Sequence, residues 1–263
     1  MKKCKPQQAH WPFIEGLLLK ALETPDFGIV YPIGDLAYLQ EAFEDADQTF
    51  EDHVELIVLD DETPVGVVSV LDAPWGRYLI GPFFIDTYNS AENIACFLPT
   101  NKSYKLDTNS KNIILQQAAQ AVGYTHYYTG ASLEYTPTGK EQPSPRVTET
   151  VNRQDAYDML KPHFKNLDLE ALDDATLAGI PGVGYIVFSQ TPEAIEIEYL
   201  VVSESHQKQG HGRRLIDYLA HKHPNSKLIL DVAITRPDSM KFYEIYGFEV
   251  WNIRHTYEYK REK

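Results

Sequence analysis

The sequence predicts a mixed α/β (α+β) chain made of two related halves, each a sheet with flanking helices. Three observations carry this. In the second half, period-2 and period-3.6 apolar patterns alternate as strand, helices, three strands, helix, strand, helix, strand. A proline-rich stretch, Thr136 to Pro145, divides the chain near its middle. Two short motifs recur in the same order on either side of it. Such an order fits layered α/β or α+β folds and not a helical bundle or a β-sandwich.

The elements follow in order. Helical spacing marks 13–22, 35–44, 110–122, 152–164, 212–222 and 238–246. Strand patterns mark 54–60, 65–71, 77–85, 124–135, 175–180, 184–189, 194–202, 227–233 and 248–259. Gly179-Ile180-Pro181-Gly182 and Gln190-Thr191-Pro192-Glu193 read as hairpin turns. Domain one is set at 1–140, a linker at 141–145 and domain two at 146–263.

The repeat rests on two matches. Gly123-Tyr124 precedes Glu134-Tyr135 as Gly247-Phe248 precedes Glu258-Tyr259, with 12 residues from Gly to the last Tyr in both. Val65-Gly66-Val67-Val68 resembles Val183-Gly184-Tyr185-Ile186. The offsets, 124 and 118, agree closely enough for the halves to read as diverged copies.

Composition bounds the function. The chain has 263 residues, 43% hydrophobic and 12% aromatic, which excludes disorder as its main state. Its net charge of −14 argues against general binding to nucleic acid or an anionic membrane and suits a cationic substrate. Two cysteines, Cys4 and Cys96, make neither a disulfide scaffold nor a cysteine-ligated zinc site. A reduced, cytoplasmic setting is expected. No run of about 18 apolar residues predicts a membrane span.

The densest chemical signal is Gln207-Lys208-Gln209-Gly210-His211-Gly212-Arg213-Arg214. It follows the strand pattern ending at Val202 and opens an amphipathic helix carrying Leu215, Ile216, Leu219 and Ala220. A helix start exposes N–H groups that lack partners within the helix, and the helix dipole adds positive potential, so the natural guest is a phosphate. Gly210 and Gly212 would let a phosphate approach the backbone. The plain alternative is a glycine turn that caps a helix. Neither G-x-x-x-x-G-K-[ST] nor G-x-G-x-x-G occurs, which excludes those nucleotide loops. Further on, Phe242-Tyr243-Glu244-Ile245-Tyr246-Gly247-Phe248 ends a helix at a glycine and enters a strand. Alone, its aromatics read as core.

Together the two motifs, Q-x-x-G-x-G and F-Y-x-x-x-G-F, in this order and at this separation, resemble the GNAT superfamily of N-acyltransferases over residues 146–263. The resemblance implies splayed central strands and acetyl-CoA as co-substrate, with no metal. It implies that the backbone of Gln207, Lys208, Gln209, Gly210, His211 and Gly212, with Arg213 beside it, holds the coenzyme pyrophosphate. Leu200, Val201 and Val202 would pair with the pantetheine arm as an added strand. A backbone N–H of Leu200 or Val201 would polarise the thioester carbonyl. Tyr243 matches the family's acid for the departing thiolate. Arg236 stands where many relatives have Asn, so it meets either a coenzyme phosphate or solvent.

A neutral amine is the attacking form, so a base is useful. Glu196 and Glu198 lie two apart on one strand and share a face, with Ile195, Ile197, Tyr199 and Val201 expected on the other. They read either as base and substrate contacts or as solvent-facing residues. His206 and His211 are expected to be exposed.

In the first half the 118 offset sets Asn89-Ser90-Ala91-Glu92-Asn93-Ile94 against the phosphate loop. It has no glycine, and Glu92 would repel a phosphate. The 124 offset sets Ala119 against Tyr243. The first half is therefore expected to be a degenerate, non-catalytic copy that helps wall the acceptor site. Trp75, Tyr78, Phe83 and Phe84 are the candidate wall residues, with core packing as the alternative. The resemblance implies a transferase that moves acetyl from acetyl-CoA to a small-molecule or peptide primary amine. The rival reading is a non-catalytic acyl-CoA sensor.

Overall fold

The computed structural model describes residues 1–24, 27, 48–73, 76–164, 167–172, 175–190 and 194–261. The helix expected at 35–44, Trp75 and the turn residues 191–193 lie outside them. By compactness the chain divides into two units, Met1–Gly130 with Asn252–Lys263, and Ala131–Trp251.

The first unit begins with β1 (Lys2–Cys4), α1 (Trp11–Glu23) and the single turn α2 (Phe50–His53). A meander follows, β2 (Val54–Val58), β3 (Pro64–Ala73) and β4 (Gly76–Phe84). Then come a 3-10 turn (Asp86–Tyr88), α3 (Ala91–Phe97), β5 (Tyr104–Asn109), α4 (Ile113–Ala121) and the start of β6 (Thr125–Tyr135). The C-terminal strand β11 (Glu249–Tyr259) completes this unit, pairing antiparallel with β5 from Arg254↔Asn109 to Tyr259↔Tyr104. In α1, Ile14, Leu17, Leu18, Ala21 and Leu22 recur at helical spacing and are all buried, and a proline opens the first turn.

The second unit holds α5 (Arg153–Leu160), a 3-10 turn (Glu170–Leu172) and the meander β7 (Thr176–Ile180), β8 (Gly184–Gln190) and β9 (Ala194–Val202). A 3-10 turn (Glu204–His206), α6 (His211–Lys222), β10 (Lys227–Ala233) and α7 (Pro237–Tyr246) follow. Its strands are ordered β6-β10-β9-β8-β7. One face of this sheet packs on α6 and α7, with Ile186, Phe188, Ile195, Ile197, Leu215, Leu219 and Tyr243 in a single core. The other face packs on α5 through Tyr185, Val187, Val201, Ala156 and Leu160.

Both units run meander, 3-10 turn, helix, strand, helix, strand. β4 ends at Phe84 and β9 at Val202, 118 residues on. β6 (Thr125–Tyr135) and β11 (Glu249–Tyr259) are each 11 residues long and stand 124 apart. These are the two offsets read from the sequence motifs.

In the second unit the parallel pair opens early. β10 meets β9 only at Lys227↔Ala194, Leu228↔Ile195 and Ile229↔Glu196. Just beyond, Phe188 pairs with Ile197 but Val187 with Tyr199, which leaves Glu198 as an extra residue in a β-bulge. The bulge corrects the expected alternation. Ile195 and Ile197 enter the core under α6, but Tyr199 and Val201 face α5, while Leu200 and Val202 pack under α6 instead. One inserted residue shifts every later side chain to the opposite face.

The proline-rich segment around 136–145 lies within the second unit as a loop. It is anchored at Glu141, whose Oε1 accepts from the Tyr135 hydroxyl and from the Thr138 N–H and hydroxyl, the latter two at 2.8 Å. The sequence reading passed over β1, α3 and β5. In β5, Tyr104, Leu106 and Thr108 are buried, and Lys105 and Asp107 alternate with them.

Gly184 keeps β8 close to the end of β9: a Cβ there would lie 2.6 Å from the Val201 carbonyl oxygen. Gly184→Ala is expected to cost about 1–3 kcal/mol in urea unfolding. An unchanged midpoint would show that the strands relax around a methyl group.

Candidate functional site

The loop between β9 and α6 has an unusual backbone. Lys208 and Gly210 both adopt left-handed conformations, at φ 58° and 79°. For a lysine this is costly, and such residues cluster at ligand sites. Alternating hands turn successive N–H groups into one concavity, the geometry of an anion nest. Gly210 is the N-cap of α6 and provides no side-chain cap. The first intrahelical bond is Arg214 N–H to the Gly210 carbonyl, 3.1 Å, so the N–H groups of His211, Gly212 and Arg213 point out of the helix end. Gln207 differs, because its N–H already donates to the Glu204 carbonyl at 3.3 Å. The glutamine side chains brace the loop from within. Gln207 donates to the Val202 carbonyl at 3.1 Å and Gln209 to the Ser205 carbonyl at 2.9 Å.

Gly212 has a role other than close phosphate approach. A Cβ there would sit 3.0 Å from the Phe242 ring and 3.8 Å from Leu200. Its bare backbone lets α6, α7 and the end of β9 meet. Gly210 faces open space and serves through its φ. His211 is buried, 8% exposed, contrary to expectation. It is held against Arg214, whose Nη1 lies 3.1 Å from the His211 Nδ1, and it stacks edge-on to His206. Burial lowers its pKa, the Arg214 charge adds to the effect, and a neutral imidazole can accept from Arg214. Arg213 is 62% exposed, over the Tyr246 ring and 3.9 Å from Asp217.

Tyr243 lies beside Phe242 in the core under α6, with Phe242 and Phe248 edge-on at 5.0 and 5.4 Å. Its hydroxyl makes no hydrogen bond to a described residue, and burial pushes its pKa up to about 12.

Glu196 and Glu198 lie where the sheet opens. Water reaches both side chains, yet surrounding protein removes enough of it that desolvation is the main cause raising both pKa values. Asp231 and Glu198 raise Glu196 further by charge, whereas the Ser189 hydroxyl pulls Glu198 back down. Asp231 accepts from the Ser132 hydroxyl at 2.6 Å. Asp231 and Ser189 were missed from sequence, although an aspartate inside the apolar run Leu228–Val232 was a usable signal.

Arg236 turns toward the chain after α5, donating to the His163 carbonyl at 3.1 Å. Phe83 and Phe84 belong to the cores of the first unit, 3% and 0% exposed, and Tyr78 packs partly against one of them, so these three do not form an exposed wall. Among the described residues no group of His, Cys, Asp and Glu side chains is placed to hold a metal ion, and no helix is long and apolar enough to cross a membrane.

A bulged strand thus parts from its parallel neighbour beside a helix start that has no side-chain cap. Residues 145–248 match the model of the acetyltransferase (GNAT) family. The fold matches a GCN5-related N-acetyltransferase from Sphaerobacter thermophilus with a TM-score of 0.69 at 14% identity, covering 98% of this chain and 94% of that one. It matches an acetyltransferase of the GNAT family from Colwellia psychrerythraea with a TM-score of 0.58 at 11% identity, covering 99% of this chain and 100% of that one. Identities this low show a shared fold. No curated protein matches the chain.

The raised carboxyls predict a pH signature. The folded chain holds protons that the unfolded chain has already lost, so this contribution to stability is complete below the unfolded carboxylate pKa and is lost as pH rises through the folded one. Glu196→Gln is expected to raise the urea midpoint at neutral pH, with the gain vanishing below about pH 4. Equal midpoints at both pH values would show that Glu196 is fully solvated.

Proposed function

We propose that the second unit is the active half of an acetyl-CoA-dependent N-acetyltransferase acting on a primary amine, and that the first unit is a diverged, non-catalytic copy of the same fold. The observation that carries this is the meeting at Gly212, where the open end of β9, the nest before α6 and the aromatic start of Tyr243's motif come within contact of one another.

Acetyl-CoA supplies an activated acetyl thioester. The residues present fit it. The N–H groups from Lys208 to Arg213 suit a pyrophosphate, with the Arg213 guanidinium beside them. β9 beyond Glu196 has no β10 partner, so its Leu200–Val202 edge can pair with an extended amide-bearing arm. The Leu200 or Val201 N–H then faces the thioester carbonyl oxygen.

An amine that attacks must lose its proton. Glu196 and Glu198, raised by desolvation, are stronger bases than exposed carboxylates and accept that proton directly or through water. The Tyr243 hydroxyl keeps its proton at neutral pH. At a pKa of about 12 it lies some units above a thiol's value of about 8.5, so complete transfer to sulfur is uphill by about 5 kcal/mol. Tyr243 therefore acts by donating a hydrogen bond to the developing sulfur charge, and the balancing proton comes from the amine. The net charge of −14 favours a cationic acceptor.

The first unit departs at the helix start. Its corresponding helix α3 begins at the N-cap Ser90, whose hydroxyl accepts from Asn93 N–H at 3.3 Å. Backbone hydrogen bonding at that helix start, and then Ser90, lower the Glu92 pKa, so a carboxylate stands where a phosphate would.

Calorimetry with acetyl-CoA is expected to give one site per chain. Arg213→Glu should weaken binding at least tenfold, because it reverses a charge on an exposed side chain. Tyr243→Phe should leave the affinity within twofold and slow thiol release with an amine panel by about 10²-fold. Absence of binding at millimolar acetyl-CoA would sink the reading. Binding without turnover, indifferent to Tyr243→Phe, would make the chain an acyl-CoA-responsive regulator.

A further inference from the structure

Arg236 belongs to α7 by its backbone and to α5 by its side chain. Its carbonyl accepts the N–H groups of Ser239 and Met240, both at 3.1 Å, and so opens α7. Its guanidinium leaves that helix. Nη2 donates to the His163 carbonyl at 3.1 Å, and the guanidinium carbon lies 5.6 Å from the centre of the Phe164 ring. Phe164 in turn meets Tyr199 edge-on at 4.8 Å. Tyr199 is the first residue past the bulge, next to Glu198, on the face that carries α5.

The turn that Arg236 grips is also tied by the Leu167 N–H, which donates to the Phe164 carbonyl at 3.1 Å, and by Lys161, whose Nζ donates to the Leu167 carbonyl. The N–H groups of His163 and Phe164 both bond back to the Leu160 carbonyl, at 2.9 and 3.1 Å, closing the end of α5. The His163 carbonyl points onward, past the helix end, where it needs a donor from elsewhere. Arginine suits both tasks at once, because its planar head can lie against a ring while an edge N–H donates.

We propose that Arg236 is a positioning residue for the acceptor. It clasps the turn after α5 to the exit of β10, which sets Phe164 against Tyr199 as an aromatic wall beside Glu198 and so fixes one side of the acceptor cleft. The word acceptor rests on the transferase reading above; the clasp itself does not. This reading turns Arg236 away from the coenzyme, where its place in the chain relative to the family motif would put it.

Hydrogen exchange of the full chain tests the clasp without activity. In Arg236→Ala, exchange across 157–164 should rise at least fivefold, while acetyl-CoA affinity by calorimetry stays within twofold. Arg236→Lys, which keeps a donor and a cation over the ring, should recover at least half of the protection. With phenethylamine as the probe acceptor, Arg236→Ala should raise KM about tenfold with kcat within twofold. Unchanged exchange at 157–164 would overturn the proposal. A tenfold loss of acetyl-CoA affinity with exchange unchanged would also overturn it and return Arg236 to the coenzyme. If the unaltered protein neither binds acetyl-CoA nor acetylates phenethylamine, the transferase reading fails, and the exchange result still decides the clasp.

Discussion

Three residue pairs, from Ala194–Lys227 to Glu196–Ile229, hold β9 against β10, and β9 bulges two residues past the third. A parallel pair that continued would consume in ladder bonds those N–H and C=O groups of Ile197–Val202 that face away from β8. The bulge at Glu198 prevents this by giving β9 one residue more than β8 can match, which bends the strand at the point where it parts from β10. The same extra residue leaves two carboxylates near the opening and sends Leu200 and Val202 into the core under α6. The bend and the later packing thus follow from a single irregularity of register.

A parted strand becomes useful only if something holds its far end in place. Here that is done by absence. Gly212 carries no side chain, so Phe242 and Leu200 close over its backbone, and α6, α7 and β9 come together at one point. The glutamine side chains that tie the loop to the Val202 and Ser205 carbonyls do so without using the N–H groups from Lys208 to Gly210. The loop is therefore rigid by its side chains and open by its backbone, as an anion nest requires.

Much of this was legible in the sequence, for identifiable reasons. Helix α6 has Leu215, Ile216, Leu219 and Ala220 at unbroken spacing, so its face and start could be read directly. The 124 offset reappears in β6 and β11 because each strand follows a Gly-aromatic pair and ends on Glu-Tyr. The bulge was not legible: alternation at 195–201 looks perfect on paper, and only the pairing with β8 reveals the extra residue. Nor was the packing demand on Gly212 legible, because the Phe242 ring that a Cβ there would crowd comes from another helix. His211 was expected outside because histidine is usually exposed, and Arg214 three residues on, which draws it in, carried no obvious signal. Contacts between residues far apart in sequence, such as Arg236 with His163, leave no local trace at all.

The first unit supplies an internal control on which of these features matters. It too has a parallel pair that parts early, with β4 meeting β5 only at Tyr78↔Lys105 and Leu79↔Leu106. The opening is thus common to both units. Past it, Pro82 removes one N–H from the strand edge, and Phe83 and Phe84 turn into the cores. The helix that follows begins on a serine cap with its own carboxylate at the first turn, so its N–H groups and its dipole are already answered from within the chain. In the second unit the equivalent helix begins on Gly210 with no cap, after a lysine in a strained conformation. The two helix starts thus differ in how their N–H groups are met: the Ser90 hydroxyl caps one, and Gly210 provides no side-chain cap at the other.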